Sequence, residues 1–109
     1  MNEQFGLRAT DLEIIISILK REHAIEEAFI FGSRAKGNYK NGSDVDIALK
    51  GNLNFEIITH ISYLLNEETP MPYKFDVLNY HALKHNDLID HINRVGISFF
   101  KRSNVYKPN

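Results

Sequence analysis

The chain has 109 residues, 43% of them hydrophobic and 25% charged, with a formal net charge of -1 and no cysteine. This size supports one hydrophobic core and a single domain over residues 1–109, with no room for a separate substrate-binding domain. The balanced charge excludes the basic surface that gives bulk nucleic-acid affinity, and the missing cysteines exclude disulfides and thiolate metal sites. No apolar run reaches membrane-spanning length and MNEQFGLRAT is not a signal segment, so a soluble cytoplasmic protein is expected.

Thr10 and Glu13 have capping-box spacing, and Leu12, Ile15, Ile16 and Leu19 follow at helical intervals, which predicts a first helix. EEAFIF, from Glu26 or Glu27 to Phe31, is short, aromatic and β-branched, and it stops at Gly32, as a strand would. After a glycine-rich turn, DVDIAL alternates: Val45, Ile47 and Leu49 go to one face, Asp44, Asp46 and Ala48 to the other. The first face is core and the second carries chemistry. Asn54 caps a second helix with Ile57, Ile58, Ile61, Leu64 and Leu65 on its apolar side. TPMP turns the chain into a third strand, Tyr73 to Leu78, which carries Asp76. A third helix after Asn86 shows Leu88, Ile89, Ile92 and Val95 on one side and ends at Gly96, leaving ISFFK as a closing strand. The tail RSNVYKPN is expected to fray, residues 103–109 above all. This order of elements predicts an α/β or α+β sandwich, with helices packed on one face of a short sheet and the aspartates on the other face or at its edge.

Several chemistries fail residue by residue. Gly32 and Gly37 have the spacing of a Walker A loop, but Asn38 and Tyr39 stand where lysine and Ser/Thr are required. Ile47, Ala48 and Leu49 fill positions where a calcium loop needs oxygen ligands. A glycosidase needs two carboxylates in unlike environments across a sugar-sized gap, whereas Asp44 and Asp46 are strand neighbours facing the same way. The five histidines are scattered; His81 and His85 stand four apart with no third ligand and read as surface residues. Carboxylates at i and i+2 of one strand plus a third on a neighbouring strand suit two Mg²⁺ or Mn²⁺ ions about 3.5 to 4 Å apart, the arrangement for in-line phosphoryl or nucleotidyl transfer. Gly32 lets the backbone approach a phosphate, and Ser33 adds a hydroxyl and an N–H. Plainer readings stand beside these: Asp44 as a turn cap, Gly32-Ser33 as an ordinary turn, and Asp46 and Asp76 as structural strand residues. Tyr39, Tyr63, Tyr73 and Tyr80 read better as core or rim packing than as base stackers, and Arg94 as a helix-end cation.

Phe31-Gly32-Ser33, ten residues, then Asp44-Val45-Asp46-Ile47, with Asp76 in a later strand, resembles the signature of the DNA polymerase β-like nucleotidyltransferase superfamily. Within it, FGSRAKG and GSDVDIAL are most similar to the minimal nucleotidyltransferase (MNT) group, which includes antitoxins paired with HEPN-family ribonuclease toxins. The resemblance implies the nucleotidyltransferase fold with a short mixed sheet, ATP as nucleotide substrate with Mg²⁺, and transfer of AMP to an acceptor hydroxyl with release of pyrophosphate. By that resemblance Gly32 and Ser33 hold the triphosphate, and Asp44 and Asp46 ligate both metals. Asp76 then holds one metal beside the acceptor, with all three carboxylates ionised. Arg34 and Lys36 are candidates for phosphate contact or for plain solvation of the turn. The expected partner is a HEPN toxin in a hetero-oligomer. The alternatives are a binding-only antitoxin with the same fold and an aminoglycoside-type enzyme that modifies a small molecule.

Overall fold

The computed structural model describes residues 4–102. Helix α1 spans Ala9–Arg21. Its cap is not the Thr10–Glu13 pair. The N-cap is Arg8, whose backbone N–H and guanidinium both donate to the Asp11 carboxylate, at 3.1 Å for the backbone bond. The Tyr73 hydroxyl donates to the same carboxylate at 3.0 Å, and Asp11 is only 1% exposed. Burial alone would raise its pKa, but the donors outweigh burial and hold the carboxyl below its ordinary range. A buried acid with three partners displaces a surface pair as the helix start.

Strand β1 is Ile25–Phe31 and runs directly into the short helix α2, Gly32–Lys36. Strand β2, Val45–Gly51, is followed by α3, Phe55–Glu67, capped as expected by the Asn54 side chain, which accepts the Ile57 N–H at 2.9 Å. Strand β3 is Phe75–Asn79, α4 is Asn86–Val95 and β4 is Ile97–Lys101. His81 lies in a single 3₁₀ turn and His85 at the α4 N-cap, so they share no helix. The four strands form one mixed sheet in the order β3-β2-β1-β4. β1 is antiparallel to β2 and β4, while β2 and β3 are parallel, the pairing for which α3 serves as crossover.

Val45, Ile47 and Leu49 are fully buried against Ile15 and Leu19 of α1 and Ile61 and Leu65 of α3. Each such side chain contributes about 1.5–3 kcal/mol on leaving water. These two helices occupy one face, as the alternation requires. The expectation that all helices share that face is corrected by α4, whose Ile92 packs on the opposite face against Phe31 and Ala48. Ala48 and Phe31 make that side apolar beyond the carboxylates, and the Leu88–Ile92–Val95 stripe covers it. The aspartate face is therefore open at Asp46 and closed at Ala48.

β3 and β4 are the sheet edges. At Phe75 the Asn66 side chain of α3 accepts the backbone N–H at 2.8 Å and donates to the carbonyl at 3.0 Å. Arg102, placed in the tail expected to fray, is anchored: its guanidinium donates to the carbonyls of Ile25 (2.8 Å) and Glu22 (3.0 Å). The rest of that tail, 103–109, lies outside the described residues. Among the described residues no helix is long and apolar enough to cross a membrane.

Candidate active site

Three strands place the candidate side chains side by side. Across the sheet, Phe31 of β1 pairs with Asp46 of β2, and Asp46 pairs with Asp76 of β3. Opposed residues in a pleated sheet point to the same face, so the two carboxylates are neighbours. Asp44 lies two residues before Asp46, exposed, just ahead of the strand. β2 starts at Val45, whose N–H donates to the Lys74 carbonyl at 2.8 Å and fixes the register that matches Asp46 to Asp76.

Asp46 is half-buried and its pKa is pushed up to about 6, by burial first and then by the charges of Asp76 and Asp44, with Arg34 opposing. Repulsion of that kind is what a bound cation relieves. Among the described residues, no three acidic or histidine side chains already converge closely enough to hold one ion. The donor set nevertheless fits a hard divalent cation: carboxylate oxygens, with an acid whose ionised form is disfavoured by burial and by two neighbouring like charges. Asp44, Asp46 and Asp76 are the residues that would hold it.

Immediately after Phe31 the chain turns at Gly32, with φ of +74°. A Cβ at this position would collide with the Asp46 carboxylate, so glycine is required both by conformation and by space. Ser33, half-buried, opens the following turn with Gly32. The Gly32 N–H donates to Nε2 of His91 on α4 at 3.2 Å.

Arg34 departs from the reading as a solvated turn residue. It is 4% exposed, and its guanidinium donates to the carbonyls of Phe5 (2.8 Å), Ser43 (2.8 Å) and Asp44 (3.2 Å). The rings of Tyr39 and Tyr73 flank it at 5.3 and 5.0 Å. Through these bonds Arg34 shapes the Ser43–Asp44 approach to β2. Lys36 is exposed at the end of α2 and makes no ion pair with the carboxylates among the described residues. Tyr63 bonds Glu68 and Tyr80 bonds Asn93, the rim roles expected of them. His91 was not a sequence candidate; its spacing of three from Leu88 and four from Val95, on the α4 apolar stripe, was the available signal.

Residues 13–105 match the family described as polymerase beta, nucleotidyltransferase. No curated protein matches the chain. Among solved structures, a toxin–antitoxin complex with AMP-PNP superposes with a TM-score of 0.70 at 18% identity, over 84% of this chain and 73% of that one. The MntA–HepT toxin–antitoxin structure has a TM-score of 0.67 at 15% identity, over 87% and 74%. A tri-AMPylated Shewanella oneidensis HEPN toxin in complex with MNT antitoxin has a TM-score of 0.65 at 16% identity, over 85% and 71%. These likenesses establish the nucleotidyltransferase fold.

Proposed function

Because the chain belongs to the polymerase beta nucleotidyltransferase family, we propose that it transfers AMP from Mg²⁺-ATP to a hydroxyl of a partner protein, and that this partner is a HEPN toxin which it neutralises. The observation that carries the proposal is the register of Asp46 against Asp76, beside a glycine that has no room for a side chain.

In this reading Gly32 and Ser33 lie along the triphosphate, Asp44 and Asp46 hold Mg²⁺, and Asp76, exposed on the edge strand β3, meets the acceptor. Bound Mg²⁺ supplies neutralisation of the phosphate charge and orientation of the nucleotide. The acceptor oxygen bonds the α-phosphorus as the bond from that phosphorus to the oxygen bridging the β-phosphate breaks. Pyrophosphate leaves, and the hydroxyl proton passes to Asp76 or to solvent. In the same reading Arg34 acts by holding the carbonyl of Asp44.

A protein acceptor is supported by the open aspartate face of this small domain, which gives a small molecule little enclosure. The structural neighbours, among them an AMP-PNP complex and an AMPylated HEPN toxin, support it too. The test is intact-mass spectrometry of a HEPN-family protein from the same organism, incubated with the wild-type chain and Mg²⁺-ATP. A gain of one or more AMP units is expected. A stable complex of unchanged mass, formed equally well by Asp44→Asn, would replace transfer with stoichiometric binding.

A further inference from the structure

We propose that His91 is a positioning residue of the nucleotide site, acting through the Gly32 amide; this rests on the function proposed above. His91 Nε2 accepts the Gly32 N–H at 3.2 Å, a bond that joins α4 to the turn across 59 positions of sequence. Accepting that proton requires a lone pair on Nε2, so the neutral ring carries its own proton on Nδ1. The ring stands edge-on to Phe31, with centroids 6.1 Å apart and planes at 80°. Its neighbour in sequence, Ile92, is the buried anchor of α4 against Phe31 and Ala48. The imidazole thus rests against Phe31 and is carried by a helix anchored through Ile92.

What Gly32 contacts gives the bond its consequence. The residue lies against the Asp46 carboxylate with no space for a Cβ, so a tilt of the Gly32 peptide moves the wall on which that carboxylate rests. Among the described residues no other side-chain hydrogen bond joins α4 to the turn Gly32–Lys36. The role of His91 is geometric: the seat of α4 is transmitted through Nε2 to the Gly32 peptide, and from there to the oxygen donors.

The test uses two variants of the full chain. H91F keeps a ring against Phe31 and loses the acceptor; H91Q keeps an acceptor near the position of Nε2. Binding of Mg²⁺–AMP-PNP is measured by calorimetry, and the Gly32 amide is followed by ¹H–¹⁵N NMR. Loss of one hydrogen bond should weaken H91F about three- to tenfold and move the Gly32 resonance, while H91Q recovers most of the affinity. Wild-type affinity in H91F, or an H91Q as weak as H91F, overturns the assignment while leaving the proposed function standing. Failure of the wild-type chain to bind Mg²⁺–AMP-PNP overturns both.

Discussion

The backbone of Gly32 and the carboxylate of Asp46 are packed together so closely that the smallest side chain at position 32 would occupy the place of an Asp46 oxygen. A conformational requirement and a spatial one thus meet at one residue. Gly32→Ala should cost about 1–2 kcal/mol of stability, because φ of +74° is unfavourable for an L side chain. It should also abolish stabilisation by Mg²⁺–AMP-PNP, because the methyl group displaces the carboxylate. Thermal melts with and without Mg²⁺–AMP-PNP check both; a variant that melts lower but keeps the full nucleotide response would separate the turn from the site.

Asp46 should make the metal-free protein pH-sensitive in the direction opposite to a salt-bridged acid. Its folded pKa is raised from 3.8 to about 6, so the folded state holds the proton more tightly than the unfolded chain does. Stability from this group therefore falls as pH rises from about 4 to about 6, and the penalty stays in place above that window. Solvent reaches this half-buried group, so the penalty is on the order of 1 kcal/mol. Asp46→Asn should stabilise the metal-free protein at pH 8 by that amount, with the difference vanishing near pH 4. Mg²⁺-ATP should stabilise the wild-type chain, and the same variant and Asp44→Asn should lose that stabilisation. Urea melts at the two pH values, repeated with Mg²⁺-ATP, decide it.

Asp76 is exposed on an edge strand, whereas Asp46 is half-buried on an inner one. Asp76→Asn is expected to bind Mg²⁺–AMP-PNP within a few-fold of wild type and to transfer AMP at least about a hundredfold more slowly, a loss confined to the transition state. Calorimetry beside single-turnover transfer reads the split. Equal loss of affinity in all three asparagine variants would remove the distinction between them.

Arg34→Lys should destabilise the fold by on the order of 3 kcal/mol despite keeping the charge, because an ammonium cannot serve the carbonyls of Phe5, Ser43 and Asp44 from between two rings. Denaturant unfolding measures this. A change below a few tenths of a kcal/mol would mean that the guanidinium fork is dispensable.

The elements that local pattern determines were readable without coordinates. The alternation through Asp44–Leu49 places Val45, Ile47 and Leu49 in the core, and the aspartates together with Ala48 opposite them. The α3 cap at Asn54 and the end of α4 at Gly96 follow equally from local chemistry. Arg34 and His91 did not follow, because each acquires its role from partners distant in sequence: Arg34 from Phe5, His91 from Gly32. A buried arginine fork has no local signature that separates it from a solvated turn residue. The Asp11 cap was hidden for a similar reason, since burial beneath Tyr73 selected it over the Thr10–Glu13 pair. The seat of α4 on the second face was legible in principle, because Ala48 is too apolar to border solvent among carboxylates, but that inference needs the neighbouring strand order.

The amide of Asn66 bears on how the protein behaves at high concentration. An outer strand with unmatched backbone groups is a template on which further chains can grow, and β3 is such a strand. At Phe75 the Asn66 side chain satisfies both groups that a neighbouring strand would use, with bonds of 2.8 and 3.0 Å. One side chain therefore imitates a peptide unit of the missing neighbour. A strand added at Phe75 would first have to break both of those bonds, so this part of the border is guarded by a residue outside the proposed site.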